Sequence, residues 1–150
     1  MARFERVLVL VLVLLAPMSA SAGPAEDASA VIDRWAAAFT ANDADAVLKL
    51  YARDALLLGT VSPILPEGTD PIRAYFARLP GSGTKVVIGE KRIVVLSNEA
   101  VLGTGFYEFT RMQDGKPVPT PARFTMVLVK RDGAWLIAHH HSSQRPNPPQ

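Results

Sequence analysis

The sequence predicts a single α+β domain in which helices cover one face of a curved antiparallel sheet. Three observations carry this. Early in the chain, apolar residues recur at helical spacing, as in Val31, Ile32, Trp35, Ala38 and Phe39. From Lys85 onward, Val- and Ile-rich runs are divided by Ser97-Asn98-Glu99, Gln113-Asp114-Gly115-Lys116 and Arg131-Asp132-Gly133, each with turn chemistry. The 150 residues suffice for one core and contain no internal repeat. Helices first and a strand meander afterwards is a two-layer α+β design. A sheet covered on one side forms a cone, whose mouth can hold a ligand.

The first element is not part of that domain. Arg3 and Arg6 precede an unbroken apolar run from Val7 to Ala16, then Pro17 and the small residues Ala20 and Ala22. That is the three-part pattern of a cleaved signal peptide, residues 1–22. Its ten-residue apolar core is too short for a stable membrane span, so no membrane anchor is expected after cleavage. The expected location is periplasmic or secreted, in a bacterium. Cleavage removes two cations and one anion and takes the net charge from +2 to +1. With Lys and Arg scattered, no nucleic-acid partner is expected. The chain has no cysteine, which excludes disulfides, thiol catalysis and a lipid-modified cysteine anchor.

Residues 23–29 read as a polar lead-in, 30–143 as the domain and 144–150 as a proline-rich disordered tail. A first helix runs to about Ala41. A second follows a cap at Asn42 or Asp43, with Ala46, Val47, Leu50 and Tyr51 inward. Residues 55–59 read as a short buried strand. Asp70-Pro71 opens a third helix with Ile72, Tyr75, Phe76 and Leu79 on its buried side. Pro80-Gly81-Ser82-Gly83 is a linker, since no lysine or helix follows it as a phosphate loop requires. Strands then cover residues 85–96, with a break near Gly89-Glu90, and 101–111, with Gly103 and Gly105 marking curvature.

The chain is organised around residues 122–143, two long strands joined at Arg131-Asp132-Gly133. Alternation places His139 and His141 on one face with Trp135 and Ile137, and His140 on the other with Leu136, Ala138 and Ser142. Two turns are open. A three-residue loop pairs Lys130 with Ala134, setting Arg123 opposite His141 and Thr125 opposite His139. A two-residue Asp-Gly loop sets Phe124 opposite His141 and Met126 opposite His139. The first is preferred, because it keeps Phe124, Met126 and Leu128 with Leu136 and Ala138. It makes Arg123, Thr125, His139 and His141 one polar cluster, suited to a small polar or anionic ligand or to a dimer interface.

The runs WAAAFTANDADAVLKLY, ALLLGTVS, GTDPIRAYF and ARFTMVLVKRDGAWLIAHHHSS resemble the SnoaL-like superfamily, the fold of nuclear transport factor 2. Within it the chain is most similar to bacterial relatives of the association domain of calcium/calmodulin-dependent protein kinase II, the SgcJ/EcaC-type group. The most specific piece is R-D-G-x-W-x-I-x-H-x-H-S, and the likeness covers residues 30–143. The resemblance implies a cone-shaped cystatin-like fold with three helices on one face, and a homodimer or higher homo-oligomer. At positions matching the cavity arginines of the kinase domain, this chain carries Phe106, Met126 and Ser142. The family holds both assembly domains and enzymes of isomerase, cyclase and dehydratase type.

For such an enzyme the candidate acid–base groups are His139, Glu108 and Asp54. His139 and His141 can share a metal only with a third ligand, so no metal site is expected. No dinucleotide fingerprint is present and no cofactor is expected. The reading that results is an exported, self-associating cone-fold domain that binds a small ligand, with small-molecule catalysis as the alternative. Self-association is expected through the sheet, since Val127 and Val129 alternate with Met126 and Leu128 and neither face is simply polar.

Overall fold

A computed structural model describes residues 23–146. The signal-peptide reading of residues 1–22 and most of the tail, residues 147–150, lie outside the described residues. The order is α1 (Pro24–Thr40), α2 (Ala44–Leu48), β1 (Tyr51–Leu58), α3 (Thr69–Phe76), β2 (Lys85–Ser97), β3 (Ala100–Gln113), β4 (Lys116–Arg131) and β5 (Ala134–Gln144). The strands form one curved, unclosed sheet in the order β1-β5-β4-β3-β2. All neighbours are antiparallel except β1, which runs parallel to β5.

Helix α1 begins earlier than its apolar stripe suggests. Proline occupies its first turn with Glu26 and Asp27, and the Asp27 N–H donates to the Gly23 carbonyl at 3.0 Å. Proline tolerates that position and acidic residues favour the positive end of the helix dipole. The stretch 23–29 is thus mostly helix. Ala28, Val31, Ile32 and Trp35 face the sheet and are buried. Contact is close: a Cβ on Gly103 would lie 2.5 Å from Ile32 Cδ1. Helix α2 is only five residues long, capped by Asp43, whose carboxylate accepts from the Ala46 N–H at 2.9 Å. It ends at Leu48, so Tyr51 opens β1 rather than closing the helix.

The break expected near Gly89-Glu90 is a β-bulge between Ile88 and Lys91 in β2. It faces Gly105, where a Cβ would lie 2.3 Å from the Glu90 carbonyl oxygen. The hairpin turns at 114–115 and 132–133 have positive φ at both residues, 51° and 74° at Asp114 and Gly115, 51° and 81° at Asp132 and Gly133. Those are the two-residue turns whose twist suits a hairpin.

The preferred three-residue register of the last hairpin is therefore corrected. Arg131 pairs with Ala134, and the ladder holds that register to Leu128–Ile137. A bulge at Ala138 then shifts it, giving Val127–His139, Met126–His140, Thr125–His141 and Arg123–Ser143. One extra residue reverses the alternation. So His140, not His139 or His141, shares the helix-covered face with Trp135 and Ile137.

Strand β4 starts at Lys116, earlier than the hairpin read from Ala122, and carries Pro117, Pro119 and Pro121 at alternate positions. Past the end of β5 their carbonyl side faces the free edge, as the bond from the Arg145 N–H to the Pro121 carbonyl shows. An edge without N–H groups resists pairing with stray strands. At the opposite edge, Thr40 Oγ1 both donates to the Val86 carbonyl and accepts its N–H, each at 3.0 Å. None of the described helices is long and apolar enough to cross a membrane.

Candidate ligand cavity

The helix-covered face lines a half-open cavity of about 350 Å³. Trp35 comes from α1, Tyr75 and Phe76 from α3, Tyr107 and Phe109 from β3, and His140 from β5. The aromatic rings hold one another: Trp35 stacks on Phe39 with centroids 5.3 Å apart, and Tyr107 meets Phe109 edge-on at 4.7 Å. Tyr75 lies over Gly59, where a Cβ would come within 2.2 Å of its ring. Hydroxyls of Thr60, Thr84, Thr120 and Ser142, the Gln144 carboxamide and the Arg111 side chain add polar groups to the lining.

A hydrogen-bond chain crosses the floor. The Trp35 indole N–H donates to the Tyr51 hydroxyl at 3.1 Å. Tyr51 Oη lies 2.7 Å from His140 Nδ1, and His140 Nε2 lies 3.5 Å from Tyr107 Oη. Ser142 bonds to Thr60 through their hydroxyls. Burial, aided by the charges of His139 and His141, pushes His140 down to about 3, so its ring is neutral at pH 7. Burial raises the Tyr51 and Tyr107 phenols, which stay protonated despite hydrogen bonds from Trp35 and Ser142 that act the other way.

The opposite face carries the residues singled out in the sequence. Arg123, Thr125 and His141 are brought together in an open cleft of about 520 Å³, with Arg92, Glu90 and Phe106. Arg123 Nε donates to Ser143 Oγ at 3.0 Å, and the Arg145 guanidinium sits 4.1 Å above the Phe106 ring. His139 shares this face but pairs with Val127 rather than Thr125 and lies outside the cleft lining. Partial burial first, and His141 second, lower its pKa. Glu108 is exposed opposite Pro121. Asp54 is exposed and accepts from Arg131 at 2.5 and 3.1 Å, which lowers its pKa. Neither carboxylate, nor His139, lines the cavity.

Of the positions matched to arginines of the kinase domain, Phe106 is on the open face and Met126 in the core, while Ser142 lines the cavity. Sequence reasoning took Tyr51 and Tyr75 for core and set His140 aside, because one unseen bulge governs which histidine points inward. No three His, Cys, Asp or Glu residues are clustered for a metal among the described residues.

A one-sided, helix-covered sheet around an aromatic pocket defines a cystatin-like, nuclear transport factor 2-like cone fold. The chain belongs to the SnoaL-like domain family, whose model matches residues 28–147. A structure from Xanthomonas campestris, described as a calcium/calmodulin dependent protein kinase II association domain, is 35% identical with a TM-score of 0.77. The match covers 86% of this chain and 93% of that one. A ketosteroid isomerase-like protein from Erwinia carotovora atroseptica is 21% identical, TM-score 0.69, over 82% and 97% of the two chains. The association domain of the C. elegans kinase is 17% identical, TM-score 0.68, over 79% and 93%. None of the curated proteins compared with the chain matches it.

Proposed function

We propose that this protein is an exported, self-associating domain that binds a small apolar molecule in its cone cavity without transforming it. The observation that carries this is the cavity lining: aromatic rings, hydroxyls, one carboxamide, one guanidinium and a neutral imidazole, with no carboxylate. Proton abstraction needs a base near its working pKa within reach of the substrate. His140 is pushed far below that range, and both its nitrogens face tyrosine hydroxyls. An aromatic pocket with a few convergent polar groups is what a small ligand site requires.

Self-association is assigned to the open face. Val87, Val94 and Leu96 are 69%, 49% and 58% exposed beside the Arg123 cleft. Apolar side chains with a polar rim suit a symmetric contact between copies, and the likeness to kinase association domains supports it. The cluster of Arg123, Thr125 and His141, with His139 nearby, then lies in that contact rather than holding a ligand.

Arg123→Ala decides between the two roles. Loss of the dimer in sedimentation, with cavity ligands still bound, is expected. An intact dimer that has lost an anionic ligand would assign the cleft to binding instead. For export, the secreted protein should start near Gly23 by mass spectrometry; an intact Met1 start would remove that part of the proposal.

A further inference from the structure

The loop between β1 and α3 leaves the body of the protein through a closed neck. The Leu57 N–H donates to the Pro66 carbonyl at 3.0 Å, and the Gly68 N–H to the Ala55 carbonyl at 2.9 Å. Leu56 bridges Glu67 in the same place, and Pro66 is buried there. Beyond the neck the chain turns tightly. The Ser62 N–H donates to the Gly59 carbonyl at 3.0 Å, and the Ser62 hydroxyl to the Ile64 carbonyl at 2.7 Å. Pro63 and Pro66 fix φ and have no N–H to satisfy. The tip is thus a built turn, and the side chains it holds outward are Val61, Ile64 and Leu65, 82%, 66% and 52% exposed. No charged residue stands between Asp54 and Glu67.

One exposed apolar side chain is ordinary; three on one pinned, uncharged tip form a patch that calls for a partner. The tip belongs to the cavity mouth, because Gly59, Thr60 and Val61 are part of the cavity lining. Arg111, an exposed residue, is part of the same lining. A protein partner would be met by polar groups around the rim of the contact. Here the Ser62 hydroxyl is already spent inside the turn. Hydrocarbon makes the opposite demand: apolar side chains, with backbone polar groups bonded within the segment or missing. The Ser62 turn and the two prolines meet that demand. The Arg111 guanidinium beside the tip suits a headgroup phosphate, which accepts its N–H groups in pairs.

We infer that residues 59–66 are a membrane-docking tip, which dips Val61, Ile64 and Leu65 into the interfacial layer of a phospholipid bilayer and sets the cavity mouth against the lipid. The contact is peripheral and reversible, since it rests on a few side chains and none of the described helices can span a membrane. This goes beyond the cavity reading. It names the surface on which the protein works, and it stands on the geometry of the loop whether or not the cavity is filled.

The test puts a reporter on the tip. Ile64→Trp in the exported protein, mixed with vesicles of phosphatidylcholine and phosphatidylglycerol, should show a blue-shifted emission that acyl-chain-brominated lipid quenches. The native Trp35 and Trp135 are 2% and 8% exposed and should not respond. In flotation with the same vesicles, the double variant Ile64→Ser, Leu65→Ser should bind about tenfold more weakly than wild type, because two buried aliphatic side chains are lost from the lipid. Both positions are exposed, so both proteins should keep the wild-type circular dichroism spectrum. An Ile64→Trp emission that vesicles leave unchanged overturns the inference, as does vesicle binding that survives the serine pair. It is also overturned if the reporter shifts with protein concentration in the absence of lipid and the serine pair abolishes self-association, because the tip is then covered by a second copy.

Discussion

His140 and His141 are neighbours on β5 and face opposite sides of one sheet. His140 is 1% exposed, wedged edge-on against Trp35 with centroids 5.0 Å apart, and held neutral. His141 is exposed beside Thr125 and Arg123. The same contrast runs along β3, where Tyr107 points into the aromatic pocket and Glu108 points to solvent. The inner face is held by packing and a satisfied polar chain. The outer face is held by charges that water screens. Residue type alone does not assign a role on this sheet; the side it faces does.

The sharpest way to break the comparison is on the inner face. Trp35→Ala should cost about 3–5 kcal/mol in urea unfolding, because it opens a large void and leaves Tyr51 without its donor. A loss near that of an average surface substitution would show that the inner face is not the stabilising one.

A smaller effect follows from His140. Its folded pKa of about 3 lies below the ordinary value of 6.5. Between those values the unfolded chain binds a proton that the folded chain does not. Stability should be independent of this group above pH 6.5. It should fall as the pH drops below that, by at most about 1.4 kcal/mol per pH unit. Replacing His140 with Asn should flatten that slope in urea titrations between pH 4.5 and 6.5, roughly the interval in which only the unfolded imidazole is charged. A slope unchanged in the variant would assign the acid sensitivity to other groups.

The smallest effect belongs to the outer pair Arg131–Asp54. Both side chains are largely exposed, at 46% and 63%. Exposed pairs gain little over hydration. Arg131→Ala should leave the melting temperature within error of wild type, and a clear drop would mean that the pair is covered in the assembled protein.

The helices and the sheet were legible because their signals are local. The stripe of Val31, Ile32 and Trp35 and the turn pairs Asp114-Gly115 and Asp132-Gly133 each fix an element by themselves. The site was less legible. Strand alternation correctly separated His140 from its neighbours, but the bulge at Ala138 inverted which of them faces the core. Nothing in Leu-Ile-Ala-His announces a bulge, since no glycine marks it. The early start of α1 was hidden for another reason: its first turn is polar and reads like a lead-in, although Pro24, Glu26 and Asp27 are good first-turn residues.

The parallel pairing of β1 with β5 has a consequence for how the chain folds. Tyr51 and His140 are 89 residues apart, and the strands that carry them lie side by side. Pairing this remote closes a long loop before any contact rewards it, which places the domain among slow folders, in milliseconds to seconds. The meander β2–β3–β4 can assemble from neighbours, but β1 has no strand to join until β5 arrives. During synthesis, most of the chain therefore waits on its last strand, with Trp35, Tyr51 and Tyr107 still wet. Hydrogen exchange in β1 and β5 should accordingly open and close together, as one cooperative unit apart from the meander.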